Sequence, residues 1–413
     1  MRQRIVLAVL VGSLLLLGGF MLAKEVHVQG KFKEWRRILA EYKAGADSTS
    51  IYCTSNNYNL PQDRIQGYES ITDFDYARVV QFENAADVQS RRDAIRTMLF
   101  GDSGPSFRVT QEEPVTPEYH WLSHAAAEGA ERQVIDIADS YRLRVDMPFG
   151  LQSNILHHIP KQGRKDKAII IFHKGHGSDY PNRFKPLASL IAAGHEVYEV
   201  GMPLIKENKV KGLVYESPRY GRIALRQHDD FWFMDLPQGS PLRYFVEPVL
   251  ALVERIRSRD AQRPIVMVGL SGGGWTTVLA AAIEPRIDGS VSVAGSWPEH
   301  LLTKNMRYPG DYEQVTPELY RIANRLELYT MAGYGEGRRH LQVFNERDTC
   351  CFAGSEGKAY ETVVQDRLKA LGAGAFEVNI DHDANGHIIG DLALEAVLRS
   401  AAELSHSRSQ TRQ

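Results

Sequence analysis

The chain has 413 residues, with 49 basic and 51 acidic side chains and a formal net charge of −2. This balance, without a basic run interleaved with aromatic residues, argues against nucleic acid as a partner. An α/β core of about 270 residues would use most of this length and leave room for additional segments.

A basic pair and a long apolar run lie near the N-terminus. Arg2 and Arg4 precede residues 5–22, which contain no charged side chain. A helix of that length spans about 27 Å, close to the ~30 Å hydrocarbon core of a bilayer. We predict that residues 1–27 form a retained signal anchor, and a cleaved signal peptide is the alternative. Both predict export, and the absence of Asn-x-Ser/Thr sites favours a bacterial periplasm.

Residues 28–131 are predicted to form a mainly helical region, because apolar side chains recur there at helical spacing. Val88, Ile95 and Leu99 are one such set. No motif in this region points to a particular chemistry. The polar residues 406–413 are predicted to form a disordered tail.

The sequence holds three cysteines, and two of them are adjacent. In an oxidising compartment, Cys350 or Cys351 would be able to bridge to Cys53. The sequence does not determine this pairing, and the odd number leaves one thiol over.

Strands and helices alternate from residue 132 to residue 405, the predicted extent of the main domain. The intervals 202–241 and 298–339 are too long for simple connections, and we predict the second as a helical lid over a substrate pocket. The first carries Phe231-Trp232-Phe233 and is expected to form another wall of that pocket. We predict a hairpin at residues 141–160, strands at 168–172, 195–200, 290–294, 340–344 and 376–380, and helices at 184–193 and 242–257.

The most informative segment is residues 264–275, Pro-Ile-Val-Met-Val-Gly-Leu-Ser-Gly-Gly-Gly-Trp. An apolar strand stops at Gly269, and a helix-like run begins at Trp275. Ser271 therefore stands in a Gly-x-Ser-x-Gly sequence in its strand-turn-helix setting, where Gly269 and Gly273 leave room for a strained turn. This pattern predicts a nucleophilic serine at a helix N-terminus, where N–H groups and the helix dipole stabilise developing negative charge.

Two downstream loops supply the partners that a serine nucleophile needs. Asp348 follows the predicted strand at 340–344, and His387 follows the predicted strand at 376–380 after a polar turn. Because Ser271, Asp348 and His387 all come after the C-terminal ends of strands, we expect them at one edge of an open α/β sheet.

With these residues, the sequence resembles the α/β-hydrolase superfamily over about residues 132–405. The resemblance implies a mostly parallel central sheet flanked by helices, here with a helical lid at 298–339 and an N-terminal helical extension. It also implies Ser271 as the nucleophile and His387 as the general base. Asp348 would orient the imidazole and stabilise the imidazolium.

In this family the oxyanion hole uses the N–H of the residue after the nucleophile, here Gly272, and one N–H from the loop after the strand at 168–172. That loop reads His-Lys-Gly-His-Gly from residue 173. It departs from the usual His-Gly-Gly or His-Gly-x-Gly by the inserted Lys174. The resemblance implies the Lys174 N–H as the second donor, and the Gly175 N–H is the alternative.

Two of these assignments have competitors. Glu299, which follows the predicted strand at 290–294, is an alternative acid. His382 is an alternative base, but we favour His387 because Gly386 places it in a looser loop. No metal or other cofactor is expected, since a half-match to a calcium loop from Asp381 lacks its final Glu ligand.

The sequence predicts an exported or membrane-anchored serine hydrolase that cleaves carboxylic esters through an acyl-enzyme. Its expected partners are a small-molecule or cell-envelope ester and, through the N-terminal segment, the membrane. A serine peptidase, a cell-envelope acyltransferase and an inactive binding scaffold remain alternatives. The sequence does not determine the oligomeric state.

Overall fold

Three fully buried strands form the centre of the protein. β4 (Ile169–His173), β8 (Ile265–Leu270) and β9 (Gly289–Val293) are buried along their whole length. Strands buried on both faces belong in a parallel sheet that helices cover on each side. The computed structural model shows this arrangement. It describes residues 75–102, 104, 108–115, 137–162, 166–176, 184–302 and 311–410.

The other strands extend this centre into a mixed sheet. They are β1 (Gln111–Pro114), β2 (Ile137–Asp146), β3 (Gln152–Pro160), β5 (Glu196–Val200), β10 (Arg339–Arg347) and β11 (Ala375–Asn385). Within the described residues, the sheet has nine strands in the order β1-β2-β3-β5-β4-β8-β9-β10-β11. The pairs from β5 to β11 are parallel, whereas β1, β2 and β3 pair in antiparallel fashion. A separate hairpin joins β6 (Val214–Ser217) to β7 (Gly221–Ala224).

Strands that follow β4 in the sequence lie on both sides of it in the sheet. The chain passes from β4 to β5 on one side, and it later returns to place β8 on the other side of β4. The connections that leave β4 and β8 therefore diverge at the carboxyl ends of these strands. Ligand sites of open α/β sheets form at such switch points.

Helices cover both faces of the sheet. Because alternate side chains of a strand point to opposite faces, Ile169 and Ile170 belong to two different buried apolar clusters. The helices are α1 (Ala85–Phe100), α2 (Phe184–Ala192), α3 (Arg243–Arg259), α4 (Gly272–Ile283), α5 (Glu299–Leu302), α6 (Tyr312–Val315), α7 (Pro317–Ile322), α8 (Arg325–Gly333), α9 (Lys358–Leu371) and α10 (Asp391–Gln410). α2 and α10 supply the cluster around Ile170, and α1, α3, α4, α8 and α9 supply the cluster around Ile169.

The sheet differs from the sequence prediction at two strands. β11 was predicted to end at residue 380 but continues to Asn385, which pairs with Arg347 after a register shift. The Asp381 carboxylate supports this extension, because it accepts the N–H groups of Asp383 at 3.0 Å and Ala384 at 2.7 Å. β1 adds an edge strand inside the interval predicted to be mainly helical. Its sequence lacks apolar alternation because all four residues are exposed.

The C-terminal prediction also needs correction. α10 continues to Gln410, so residues 406–410 are helical and the predicted disordered tail is wrong over that stretch. Nothing in these residues breaks a helix, and Arg408 anchors the last turns through Asp288 and the Gln262 carbonyl.

Contacts divide the chain into Met1–Asn57 and Tyr58–Gln413, and every described residue belongs to the second unit. The predicted anchor or signal peptide at residues 1–27 lies outside the described residues. Within the described ranges, no helix has both the length and the apolar character needed to cross a bilayer.

Candidate active site

Ser271 occupies a strained turn between β8 and α4. Its backbone has φ 60° and ψ −127°, a left-handed region that residues with a Cβ rarely adopt. Two hydrogen bonds hold the turn: the Ser271 N–H donates to Val293 O at 2.9 Å, and the Trp275 N–H donates to Ser271 O at 3.0 Å. Strain that neighbouring structure enforces in this way concentrates at functional sites.

Close backbone contacts explain the two glycines that flank Ser271. A Cβ on Gly269 would lie 2.2 Å from Gly273 O, and a Cβ on Gly273 would lie 2.6 Å from His173 O. Both distances are far below a van der Waals contact. The loop after β4 therefore packs directly on the turn, and only glycine fits at these two positions.

Asp348 and His387 form a hydrogen-bonded pair at the same edge of the sheet. Asp348 Oδ2 lies 2.8 Å from His387 Nδ1. The other carboxylate oxygen accepts the N–H groups of Cys350 at 2.7 Å and Cys351 at 3.0 Å. A neutral His387 ring that donates through Nδ1 has its acceptor at Nε2, which is the tautomer that a general base needs.

Asn345 positions the His387 loop, and the sequence prediction missed it. Its buried Nδ2 donates to Gly386 O at 2.9 Å and to Ile388 O at 2.8 Å, on either side of His387. The Gly386 N–H in turn donates to Arg347 O at 3.1 Å. A polar residue directly after the predicted buried strand at 340–344 is the signal that would have identified this position.

β9 connects the Ser271 turn to β10, the strand that precedes Asp348. The Ser271 N–H donates to the carbonyl oxygen of Val293, the last residue of β9. The N–H of the following residue, Ala294, donates to Val343 O of β10 at 2.8 Å. Ser271, Asp348 and His387 follow β8, β10 and β11, which run in parallel. The structure thus joins Asp348 to His387 and places Ser271 at the same sheet edge.

The two competing residues are engaged elsewhere. Glu299 begins α5, where its Oε1 accepts the Arg325 N–H at 3.0 Å and lies 3.3 Å from the Arg325 guanidinium. His382 lies within β11 with a side chain that is 66% exposed, and its Nδ1 is 3.1 Å from Glu346 Oε2. The geometry therefore favours Asp348 and His387 over Glu299 and His382.

The Lys174 N–H is not the oxyanion donor that the resemblance implied. It donates to Val200 O at 2.9 Å, because Lys174 continues the pairing of β4 with β5 by one residue. Its side chain also faces inward, with Nζ 2.8 Å from Glu199 Oε1 and in contact with Glu207. The prediction failed because it ended the strand one residue too early.

The alternative donor lies closer to the turn. The Gly175 N–H makes a long 3.3 Å hydrogen bond to His173 Nδ1, and its nitrogen lies 2.8 Å from the Cβ position of Gly273. His173 is fully buried, and burial together with the charges of Lys174 and His176 lowers its pKa to about 3. The His173 ring is therefore neutral and able to accept this bond.

A cluster of four ionisable side chains borders the turn. This wall cluster comprises His176, His228, Asp311 and Glu313. A Cβ on Gly272 would lie 2.5 Å from His176 Cε1 and 2.6 Å from His176 Nδ1, so this ring lies against the first residue of α4. Burial disfavours the His176 imidazolium, but the Glu313 and Asp311 carboxylates outweigh burial and raise the pKa of His176 to about 10.

Among the described residues, two groups have donor atoms close enough for a metal ion. The wall cluster is one of them. The other consists of Cys350, Cys351 and His387, where a disulfide joins the two sulfur atoms and leaves no thiolate ligand. Cys53, the third cysteine, lies outside the described residues.

The interval 298–339 contains α5 to α8 and is bonded to the core beside Ser271. Trp275 Nε1 of α4 donates to Tyr320 OH at 2.9 Å, and Gln314 Nε2 donates to Gly295 O at 3.0 Å. Tyr329 is fully buried and its hydroxyl lies 2.8 Å from Ser296 Oγ, so it packs in the core. The interval's predicted role as a lid stays a prediction.

The interval 202–241 meets the same helices. The ring of Phe231 is 5.7 Å from that of Tyr312, and the ring of Trp232 is 4.8 Å from it in an edge-on arrangement. Two inserted segments that are distant in sequence therefore form one aromatic contact. Such edge-on aromatic pairs contribute about 0.5–1.5 kcal/mol beyond the area that they bury.

No protein-family model and no curated protein matches the sequence. Solved structures do match. Acetyl xylan esterase 1 from Thermoanaerobacterium sp. JW/SL YS485 is 13% identical with a TM-score of 0.50, and the match covers 84% of this chain and 99% of that one. Methylesterase BT1017 is 16% identical with a TM-score of 0.51, over 77% of this chain and 63% of that one. At these identities the likeness concerns the fold, and this chain has the fold of the α/β-hydrolase superfamily.

Proposed function

We propose that this protein is a serine hydrolase that cleaves carboxylic esters, with Ser271 as nucleophile, His387 as general base and Asp348 as the orienting acid. The observation that carries the proposal is the 2.8 Å hydrogen bond between Asp348 and His387 at the sheet edge where Ser271 lies in its strained turn. Nucleophile, base and orienting group are the three parts that acyl transfer by a serine requires.

In this mechanism, His387 Nε2 removes the Ser271 proton as the serine oxygen attacks the ester carbonyl. The tetrahedral oxyanion accepts the Gly272 N–H, which belongs to the first turn of α4 and has no acceptor within the helix. The Gly175 N–H is the proposed second donor, since its bond to His173 is long at 3.3 Å. His387 then protonates the leaving alcohol, and a water molecule activated by the same ring releases the acid.

Esters are favoured as substrates because the two proteins of similar fold are named as an acetyl xylan esterase and a methylesterase. We propose acetyl or methyl esters as the first classes to examine. A peptide substrate, transfer of the acyl group to an alcohol, and binding without turnover are the alternatives. Arg2, Arg4 and the apolar residues 5–22 support action outside the cytoplasm, either on a membrane anchor or after signal cleavage.

The test compares wild type with Ser271→Ala and the control Ser258→Ala, which changes an exposed serine of α3. Each purified protein is incubated with nitrophenyl acetate, acetylated xylan, a sugar-acid methyl ester and a peptide amide. We expect wild type and the control to hydrolyse at least one ester, and Ser271→Ala to hydrolyse none. Ester turnover by Ser271→Ala, or cleavage of the peptide alone, would contradict the proposal.

Location has a separate test. A phosphatase reporter fused after Gln413 is active only outside the cytoplasm, so it should be active on the full chain and inactive when residues 1–27 are deleted. Equal activity of both fusions would contradict export by this segment.

A further inference from the structure

We propose that the wall cluster binds one divalent transition-metal ion of the zinc type, and that this ion ties together three segments bordering Ser271. The proposal concerns metal binding and does not depend on ester hydrolysis. The four ligands would be the side chains of His176, His228, Asp311 and Glu313.

The donor atoms of the wall cluster converge on one point. His176 Nε2 lies 2.7 Å from Asp311 Oδ2, 3.0 Å from His228 Nδ1 and 3.2 Å from Glu313 Oε1. His228 Nδ1 lies 3.2 Å from Glu313 Oε2, and no two donors of the cluster are more than 4.8 Å apart. A tetrahedral site with zinc–ligand distances of about 2.0–2.1 Å has edges of about 3.4 Å, within this spread.

Glu313 is the residue of the wall cluster whose surroundings most favour a bound cation. Its side chain is 0% exposed, and neither carboxylate oxygen accepts a hydrogen bond of acceptable geometry. Both oxygens instead face imidazole nitrogens at 3.2 Å. A buried carboxylate without hydrogen bonds is unfavourable, and a metal ion would stabilise it by accepting its lone pairs.

The orientation of His228 is that of a metal ligand. Its Nε2 lies 2.9 Å from Pro203 O, and since a carbonyl only accepts, Nε2 carries the proton. The Nδ1 lone pair therefore points into the wall cluster. A backbone carbonyl that fixes the tautomer of a ligating imidazole is the usual second partner in such sites. Mixed imidazole and carboxylate donors favour zinc over calcium or magnesium, which prefer oxygen ligands alone.

The position of the wall cluster indicates a structural role. His176 belongs to the loop after β4, His228 to the interval 202–241, and Asp311 and Glu313 to the interval 298–339. The His176 ring presents Cε1 and Nδ1 to Gly272, while its Nε2 faces the cluster. The ion would thus hold both inserted segments against the nucleophile turn.

The test starts from the full-length protein, purified without chelators or metal-affinity resin. We expect about one zinc ion per chain by mass spectrometry, and a lower melting temperature after removal with a chelator that added zinc restores. Cobalt should replace zinc with 1:1 stoichiometry and give the visible absorption of a four-coordinate site. Metal-depleted wild type that binds neither zinc nor cobalt in a saturable manner would overturn the proposal.

Matched variants identify the ligands. Glu313→Gln and the less buried Asp311→Asn should each weaken cobalt binding by at least about 100-fold. Glu318→Gln, an exposed acid of α7, and His382→Asn, an exposed histidine of β11, should bind cobalt like wild type. If Glu313→Gln does not fold, the cobalt affinity of Asp311→Asn still tests the ligand assignment. Cobalt affinity in a folded ligand variant equal to that of wild type would exclude the assignment.

Discussion

The nucleophile turn and the wall cluster contact each other at Gly272, yet they are built in different ways. The turn is made by consecutive residues, and Gly269, Ser271 and Gly273 carry it through backbone packing. The wall cluster instead takes single side chains from three distant segments and holds them by charge. A site built locally is visible in a sequence pattern, whereas one assembled by the fold is not. Chelators and salt should leave the nucleophile turn unchanged, whereas they should weaken the contacts within the wall cluster.

The largest effect is expected within the turn. Ser271→Ala should reduce ester turnover by at least about 10⁴-fold, because no other group replaces the nucleophile. Its melting temperature should stay close to that of wild type, since the Ser271 backbone makes the hydrogen bonds that hold the turn. Steady-state kinetics and thermal unfolding measure the two quantities. A large fall in stability would mean that the serine hydroxyl is structural.

Loss of the orienting carboxylate is the next largest effect. Asp348→Asn should lower turnover by about 10⁴-fold with little change in KM, because the amide no longer favours the correct tautomer of His387. The same substitution leaves a side chain of nearly equal volume. Turnover within tenfold of wild type would remove Asp348 from the proposed mechanism.

Asn345 is distant from His387 in the sequence but bonds to the carbonyls beside it in the folded protein. It therefore tests how far the active site, like the wall cluster, depends on contacts between distant segments. Asn345→Ala removes two hydrogen bonds to the carbonyls beside His387 and should lower kcat by about 10- to 100-fold, with a loss of about 1–3 kcal/mol in stability. The pH profile of kcat should shift as well, which a purely structural defect would not produce. An unchanged profile with normal kcat would contradict this role.

The contact between the two regions can be tested directly at Gly272. In Gly272→Ala, the new Cβ would meet His176 Cε1 at 2.5 Å and Met202 Cε at 2.7 Å. The side chains of His176 and Met202 must therefore move away from α4. We expect a loss of about 1–3 kcal/mol in the free energy of unfolding and weaker cobalt binding. If neither quantity changes, the turn and the wall cluster are not packed as described.

The smallest effect is expected at the competing acid. Glu299→Gln should leave turnover within about twofold of wild type, because Glu299 pairs with Arg325 and its side chain is 43% exposed. Asp348→Asn in the same assay is the comparison. If Glu299→Gln lowered turnover more than Asp348→Asn does, the orienting acid would be Glu299 and not Asp348.

The sequence predicted the elements whose signal lies in neighbouring residues. The strand before Gly269, the helix after Ser271 and the hairpin at 141–160 all appear, because apolar runs and glycines act over short distances. The sequence also predicted that Asp348 and His387 each follow a strand, and the structure places them after β10 and β11. Their hydrogen bond was an inference from the family pattern, and the geometry agrees with it.

What the sequence did not reveal depends on distant partners. Whether the Lys174 N–H is available depends on Val200 of β5, and the extension of β11 depends on pairing with Arg347. His176, His228 and Glu313 have no fixed spacing, so no local pattern marks them as one cluster. Their relation arises only when the two inserted segments fold over the carboxyl ends of β4 and β8.

The most direct test of the central claim is to label the purified protein with a fluorophosphonate and map the modified residue by peptide mass spectrometry. Such reagents react rapidly only with an activated serine. The account predicts one adduct, on Ser271, which is absent from Ser271→Ala and much slower to form in Asp348→Asn. An adduct on a different serine, or ester turnover by a protein that takes no label, would contradict it.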